Sequence, residues 1–191
     1  ENALIIELEP GGADYINAMV IEANSPPEFE KVLKAINDAG NPYDYVVVDT
    51  ISQLDRWSEI VGTLNYMSKA QGSRFNVKPG TVEKYRPSDP KFETVHELGN
   101  GAGFAHSRAQ MLKWYDMMAK SAKHVILLAH IKDKFIESKK SGDTVEAADI
   151  DLTGKVKTIY CSKADAVGHF FRRGDEGIIN FNNENSIACG G

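Results

Sequence analysis

The stretch that most constrains the fold is residues 43–54, which reads YDYVVVDTISQL. Its hydrophobic run, Tyr45–Val48, has no polar break and ends on Asp49. A continuous run rich in β-branched residues predicts a strand that is buried on both faces, as in parallel sheets covered by helices. An acid at the carboxyl end of such a strand lies where open α/β sheets bind ligands. The stretch therefore predicts an α/β fold with a site at Asp49.

The segments around this strand predict alternating strands and helices. Ala3–Leu8 (ALIIEL) predicts the first strand, and Asp14–Met19 predicts a short helical turn. A helix is expected to open at Ser25-Pro26-Pro27 and to stop near Gly40, since proline suits a first helical turn and glycine a helix end. A second helix is expected after that strand, through about Tyr66, with Leu54, Trp57, Val61 and Leu64 on its apolar stripe. Strand–helix–strand–helix order implies parallel strands with right-handed crossovers.

The second half of the chain repeats this pattern with interruptions. The sequence predicts a long helix over Phe104–Lys123 and an apolar strand, Val125–Ala129, that ends on His130. Val156–Cys161 is predicted to be extended. Gly174-Asp175-Glu176-Gly177 lies between two hydrophobic runs and predicts a C-terminal β-hairpin.

Two stretches lack hydrophobic periodicity, residues 67–103 and 132–151. Both are predicted to be loop insertions in one domain that covers 1–191, because long segments without periodicity inside a domain are usually functional or mobile. The first is basic, and both are candidates for DNA contact. Plain solvated loops are the alternative.

Charge and composition limit the function classes. The net charge is −5, but residues 1–66 carry twelve acids and three bases, whereas residues 67–131 carry five acids and ten bases. The basic middle leaves a polyanion partner open, although a solvated mixed-charge surface explains it equally well. Cys161 and Cys189 do not have metal-ligand spacing, so zinc is not expected and a reducing cytoplasm fits. No apolar run reaches the ~20 residues that span a bilayer.

Three predicted strands end on a polar residue: Glu9, Asp49 and His130. The carboxyl ends of parallel strands lie at one edge, so these side chains are expected in one crevice. Hydrolysis of a nucleoside triphosphate uses such a set: a carboxylate that orders Mg²⁺, a group that orients the attacking water, and a group that senses the γ-phosphate. The blander alternatives are a helix cap for Asp49, an exposed acid for Glu9 and a core histidine for His130.

The order of these motifs resembles the RecA-like ATPase core, and especially the short single-domain RecA-like proteins of bacteriophages. Glu7-Leu8-Glu9 is similar to the family's acid-x-Glu strand end, and Val47-Val48-Asp49-Thr50 is similar to its Walker B strand. His130 stands at the position of the polar sensor, before a loop placed like the second DNA loop. Residues 151–155 (DLTGK) and 164–172 (ADAVGHFFR) resemble the phage version in particular.

The resemblance implies a RecA-like three-layer sandwich with a mostly parallel sheet and a C-terminal hairpin. It implies ATP and Mg²⁺ as cofactors, with Glu9, Asp49 and His130 as catalytic residues. Thr50 and Ser52 would join Asp49 in binding the nucleotide, with Mg²⁺ held by Asp49 through water. It further implies action on single-stranded DNA in phage recombination or replication, in the host cytoplasm. A homo-oligomeric ring or filament is expected, with phage annealing or single-strand-binding proteins as partners. The implied DNA contacts are Lys132, Lys134, Lys139 and Lys140.

One motif of the family does not occur, because no GxxxxGK[ST] is found in the 191 residues. That loop cradles the phosphates with backbone N–H groups and a lysine. In the family it precedes the strand that here begins at Ala3, so a place upstream of Glu1 is expected for it, in a chain that is N-terminally truncated. Two alternatives stay open. One is a non-catalytic RecA-like scaffold or DNA-annealing module, and the other is a small-molecule α/β enzyme that uses Asp49 and His130 as acid and base.

Overall fold

The computed structural model describes residues 2–13, 15–137 and 144–181, and for 133–137 and 144–148 it describes the backbone alone. The chain divides into two compact units, residues 1–128 and 129–191. Each unit is described by itself.

A parallel four-stranded sheet forms the centre of the first unit. Its strands are β1 (Ala3–Glu7), β2 (Met19–Glu22), β3 (Tyr45–Asp49) and β4 (His124–Leu128), in the order β2-β1-β3-β4. Every neighbouring pair is parallel. The inward side chains of β1 and β3, such as Ile6, Val46 and Val48, are fully buried. The predicted α/β fold with a mostly parallel sheet is confirmed.

Three helices connect these strands: α1 (Pro26–Asp38), α2 (Ile51–Met67) and α3 (Phe104–Met118). Helix α1 starts with proline, buries Phe29, Leu33 and Ile36 along one stripe, and ends before Gly40, whose φ is +78°. Helices α2 and α3 cross closely at Gly62, where a Cβ would lie 3.0 Å from the backbone nitrogen of Ser107. None of the helices in the described parts of the chain is long and apolar enough to cross a bilayer.

A buried tryptophan joins α1 to α3. Trp114 is fully buried and meets the ring of Phe29 edge-on, with centroids 6.2 Å apart. Its Nε1 donates a 2.8 Å hydrogen bond to Oε1 of Glu30, and Lys113 Nζ donates to the same oxygen at 2.8 Å. The carboxylate of Glu30 therefore ties α1 to two successive residues of α3.

The stability of this contact is expected to depend on pH. Partial burial acts to raise the pKa of Glu30, but the hydrogen bonds from Lys113 and Trp114 outweigh it and hold this pKa below its ordinary value of 4.5. A depressed folded-state pKa stabilises the fold above the unfolded pKa, and this contribution is lost as the pH falls through the folded pKa. Glu30→Gln is therefore expected to cost on the order of 1 kcal/mol at pH 7 and progressively less as the pH falls below the ordinary glutamate pKa of 4.5. Urea unfolding of both proteins across this range measures the difference, and a constant difference would contradict the assignment.

Residues 67–103 contain no long helix or strand, as predicted, but they pack on α2 and α3. Single 3-10 turns occur at Ala70–Gly72, Val95–Glu97 and Gly99–Gly101. The backbone N–H of Val95 donates to Oγ1 of Thr63 at 2.9 Å. His96 contacts both helices, with Nε2 2.7 Å from Ser107 Oγ on α3 and Nδ1 3.4 Å from Glu59 Oε1 on α2. The end of this segment is therefore held against α2 and α3 by hydrogen bonds.

The second unit differs from the sequence prediction in two places. Its elements are β5 (Ile131–Glu137), β6 (Thr144–Ile150), α4 (Lys155–Lys163), β7 (His169–Arg173) and β8 (Glu176–Asn180). The predicted loop at 132–151 is wrong, because β5 and β6 pair as an antiparallel hairpin. The predicted extended segment Val156–Cys161 is also wrong. It lies in α4, where Val156 and Tyr160 are buried one helical turn apart. The predicted C-terminal hairpin is confirmed by β7 and β8.

The first unit holds two smaller differences. The chain forms the strand β2 at Met19–Glu22. The sequence did not predict this strand, and it predicted only a helical turn over Asp14–Met19. Helix α3 ends at Met118, earlier than the predicted Lys123, and Ser121 Oγ donates to the carbonyl of Met118 just beyond that end.

Candidate functional site

The two central strands of the first unit end side by side on acids. In the register of β1 and β3, Glu7 is the partner of Asp49. Partners on neighbouring strands point to the same face of a sheet. Glu7 is 3% exposed, whereas Asp49 is half-buried. Two carboxylates therefore lie on one face at the carboxyl edge of the sheet, where parallel α/β sheets bind ligands.

A glycine-containing loop lies across these strand ends. A Cβ on Gly12 would be 3.2 Å from Oδ2 of Asp49 and 3.3 Å from Oε1 of Glu7. The next residue, Ala13, donates its backbone N–H to the same Glu7 oxygen at 2.9 Å. Glu7 thus fixes the loop, and glycine lets the backbone approach both carboxylates.

Glu9 lies two residues beyond the end of β1 and is bound to α2. Nη1 of Arg56 lies 3.0 Å from Oε1 of Glu9, and it also donates to Oε1 of Gln53 at 3.2 Å. Both partners lie in the first turns of α2, the helix that follows Asp49. The sequence placed Glu9 at the strand end, whereas the strand ends at Glu7 and the ion pair holds Glu9 beside the start of α2.

Thr50 and Ser52 lie at the start of α2. Thr50 is its N-cap, and its Oγ1 accepts the backbone N–H of Gln53 at 3.3 Å. Ser52 lies in the first turn and is 2% exposed. Such a cap satisfies one of the free N–H groups at a helix start. Contact of either hydroxyl with a nucleotide stays a prediction.

The remaining predicted residues belong to the second unit. His130 follows β4 by two residues, its side chain is exposed, and its carbonyl accepts the N–H of Asp151 at 2.8 Å. Lys132 forms an ion pair with Asp151, 3.1 Å between Nζ and Oδ1. Lys134 lies in β5, and the predicted DNA contacts Lys139 and Lys140 lie outside the described residues. The sensor and DNA roles of these residues stay predictions.

The donor chemistry of the strand ends suits a hard cation. Carboxylate oxygens are preferred ligands of Mg²⁺, which keeps several waters and takes few protein ligands. Among the described residues no group of three or more His, Cys, Asp or Glu could hold a metal ion. The half-buried carboxylate of Asp49 is therefore chemically compatible with a hydrated Mg²⁺, and the described residues form no all-protein cage.

Glu7 is the residue that the sequence analysis missed as part of the site. Its signal was available, because Glu7 ends the apolar strand Ala3–Glu7 as Asp49 ends Tyr45–Asp49. The similarity of Glu7-Leu8-Glu9 to a family motif drew the assignment to Glu9 instead. Burial next to Asp49 could be known only once the strands were paired in register.

Comparison with known proteins gives one result that bears on this arrangement. A family model described as an AAA domain (AAA_24) matches residues 1–190. No curated protein and no solved structure matched the chain. The match covers nearly the whole sequence, and the parallel α/β sheet of the first unit is consistent with such a domain. The chain therefore belongs to the AAA domain family of nucleotide-binding, ATPase-type proteins.

Proposed function

We propose that the protein is a RecA-like ATPase of phage type that acts on single-stranded DNA in recombination or replication. The observation that supports this best is the position of Asp49 at the carboxyl end of β3. It lies in register with the buried Glu7, and the backbone of the loop at Gly12 closely approaches both carboxylates. Membership in the AAA family supports nucleotide binding. The resemblance to phage RecA-like proteins supports action on single-stranded DNA.

The proposal gives each residue of this edge a separate task. Asp49 holds Mg²⁺ through its waters, and Glu7 fixes the loop above it by accepting the N–H of Ala13. Glu9 orients the water that attacks the γ-phosphate, and Arg56 sets the direction of the Glu9 carboxylate through their 3.0 Å contact. Thr50 and Ser52 line the nucleotide side of the helix start. His130 passes the nucleotide state to the hairpin β5–β6.

Bound Mg²⁺ would neutralise charge that develops on the phosphate oxygens in the transition state. The chain's own residues supply positioning and electrostatics, which are the main contributions of a protein to phosphoryl transfer. The proposal requires a phosphate-binding loop, and the 191 residues do not contain GxxxxGK[ST]. A second candidate, which does not require that loop, is a non-catalytic RecA-like scaffold or annealing module.

Hydrolysis by the full-length protein, with and without single-stranded DNA, distinguishes these candidates. The ATPase proposal expects Mg²⁺-dependent turnover that rises when DNA is added. The scaffold candidate predicts DNA binding without ATP turnover. A complete gene with no GxxxxGK[ST] upstream of Ala3 would rule out the ATPase.

The DNA partner is tested by binding at increasing salt concentration. Lys132 and Lys134 in β5, and Lys139 and Lys140 after it, are the proposed phosphate contacts. Affinity that depends on such contacts falls steeply as salt rises. If no binding occurs at low salt, the DNA part of the proposal is wrong while the ATPase part is untouched.

Gly12→Ala is expected to lower turnover about tenfold to a hundredfold while the fold stays nearly as stable. A methyl group there would press on Asp49 and Glu7, whose oxygens would have to move by a few tenths of an ångström. Gly99→Ala is the matched control, because a Cβ there meets nothing within 4 Å. Turnover and urea midpoints of both variants check the prediction. Equal turnover in the two variants would show that the Gly12 loop does not border the reacting groups.

A further inference from the structure

One side of α2 carries a row of polar contacts, and the proposed mechanism uses only the first of them. Arg56, Glu59, Thr63 and Met67 recur at intervals of three or four residues, so they lie along one face of the helix. Arg56 contacts Glu9 at the carboxyl edge of the sheet, with 3.0 Å between Nη1 and Oε1. Met67 lies about 16 Å farther along the helix axis, at ~1.5 Å per residue. The row therefore runs from the candidate site to the far end of α2.

The middle of the row holds the end of the segment between α2 and α3. Oε1 of Glu59 accepts the hydroxyl proton of Thr94 and lies 3.4 Å from Nδ1 of His96. One turn farther along α2, Oγ1 of Thr63 accepts the backbone N–H of Val95 at 2.9 Å. Two side chains of α2 therefore hold three successive residues of the segment.

The last residue of the row holds the middle of the same segment, residues 68–102, which we call the connecting segment. Nζ of Lys84 donates to the carbonyl of Met67 at 2.8 Å. Within the connecting segment, only Gly72 and Val95 are buried. A stretch with so little buried apolar surface opens more readily than a core element, so its attachment depends on the polar contacts with α2.

A nucleotide at the candidate site would act on the first residue of the row. A γ-phosphate placed where Glu9 orients the attacking water would attract Arg56 and repel the Glu9 carboxylate. The start of α2 also favours an anion, because its free N–H groups and its dipole are positive there. A ligand shifts a conformational equilibrium only if its contacts differ between the two states. The contact of Arg56 with Glu9 provides such a difference at the start of α2.

We propose that α2 couples nucleotide binding to the attachment of the connecting segment, with Glu59 as the positioning residue that transmits the change. The inference rests on the proposed function, because it requires ATP at the Asp49 edge. Bound ATP stabilises α2 at its start, so the contacts of Glu59 with Thr94 and His96 open less often than in the protein without ATP.

Trypsin cleavage of the full-length protein tests the proposal, with ATP binding measured in parallel. Lys69, Arg74 and Lys91 are exposed cleavage sites in the connecting segment, and the rate of cleavage there reports how often the segment opens. ATP with Mg²⁺ is expected to slow this cleavage at least about fivefold in the wild type, the low end of usual coupling between two sites. Glu59→Ala should reduce the effect of ATP to less than about twofold, while its ATP affinity stays within about twofold of the wild type.

Glu97→Ala is the matched control. Glu97 is exposed in the same 3-10 turn as His96 and lies outside the row, so this variant makes the same charge change and should keep the full effect of ATP. Glu59→Gln retains an acceptor oxygen and should restore most of the effect. Circular dichroism shows whether Glu59→Ala folds. If it does not, Thr63→Val decides with the same expected loss, because it removes the acceptor of the Val95 N–H.

The proposal is overturned if the wild type binds ATP but is cleaved at the same rate with and without it. It is also overturned if a folded Glu59→Ala protein keeps the full effect of ATP. In both cases the proposed function stands, since ATP still binds. A wild type that binds no ATP would overturn the proposed function and this inference together, so the parallel binding measurement distinguishes the two failures.

Discussion

Replacing Asp49 with asparagine is expected to reduce ATP hydrolysis by the full-length protein at least about a hundredfold, the typical loss when one group that stabilises transition-state charge is removed. Asparagine keeps the size of the side chain at the end of β3 but removes the charge that would order Mg²⁺. The neighbouring Glu7 cannot replace it, because it is 3% exposed and its Oε1 accepts the N–H of Ala13.

Asp44→Asn is the matched control for this variant. Asp44 is an exposed acid that immediately precedes the other end of β3, so its replacement changes the net charge equally without touching the carboxyl edge. It should hydrolyse ATP like the wild type. Equal turnover in the wild type, Asp49→Asn and Asp44→Asn would remove Asp49 from the mechanism.

Trp114→Ala is expected to destabilise the first unit by about 3–5 kcal/mol, the usual range for deleting a large buried aromatic side chain. Trp114 is fully buried against Phe29, and the change would also take one hydrogen-bond donor from Glu30. A loss of this size is a large part of the stability of an ordinary domain. Urea unfolding followed by circular dichroism measures it.

Asp116→Ala provides the comparison on the same helix. Asp116 is exposed, so its replacement should change the unfolding free energy by less than about 0.5 kcal/mol. If Trp114→Ala and Asp116→Ala unfold at similar urea concentrations, Trp114 does not hold α1 against α3 as the structure indicates.

The central strands could be predicted from sequence because their apolar residues run without a polar break. Tyr45–Asp49 and Ala3–Glu7 carry this signal, and the structure places both at the centre of the sheet. Strand β2 lacks it, since its four residues are exposed and stand between polar segments. Strands β5 and β6 mix charged and apolar residues without a regular period, and their pairing joins residues far apart in sequence, such as Ile131 and Ile150.

The candidate site, like the fold, could be predicted from sequence only in part. Asp49 follows directly from the strand it ends, and Glu9 from its resemblance to a motif. Glu7 was not predictable as a partner of Asp49, because that depends on the register between β1 and β3. The contact of Gly12 with both carboxylates depends on the path of the loop, which composition does not specify.

Equilibrium binding of ATP to the full-length protein, with and without Mg²⁺, tests most directly whether the carboxyl edge of β1 and β3 is the nucleotide site. The measurement needs the wild type and Asp49→Asn side by side. Mg²⁺ is expected to tighten ATP binding to the wild type at least about tenfold, or 1.4 kcal/mol, and to have little effect on Asp49→Asn. The same Mg²⁺ dependence in both proteins, or no ATP binding by the wild type, would contradict the account.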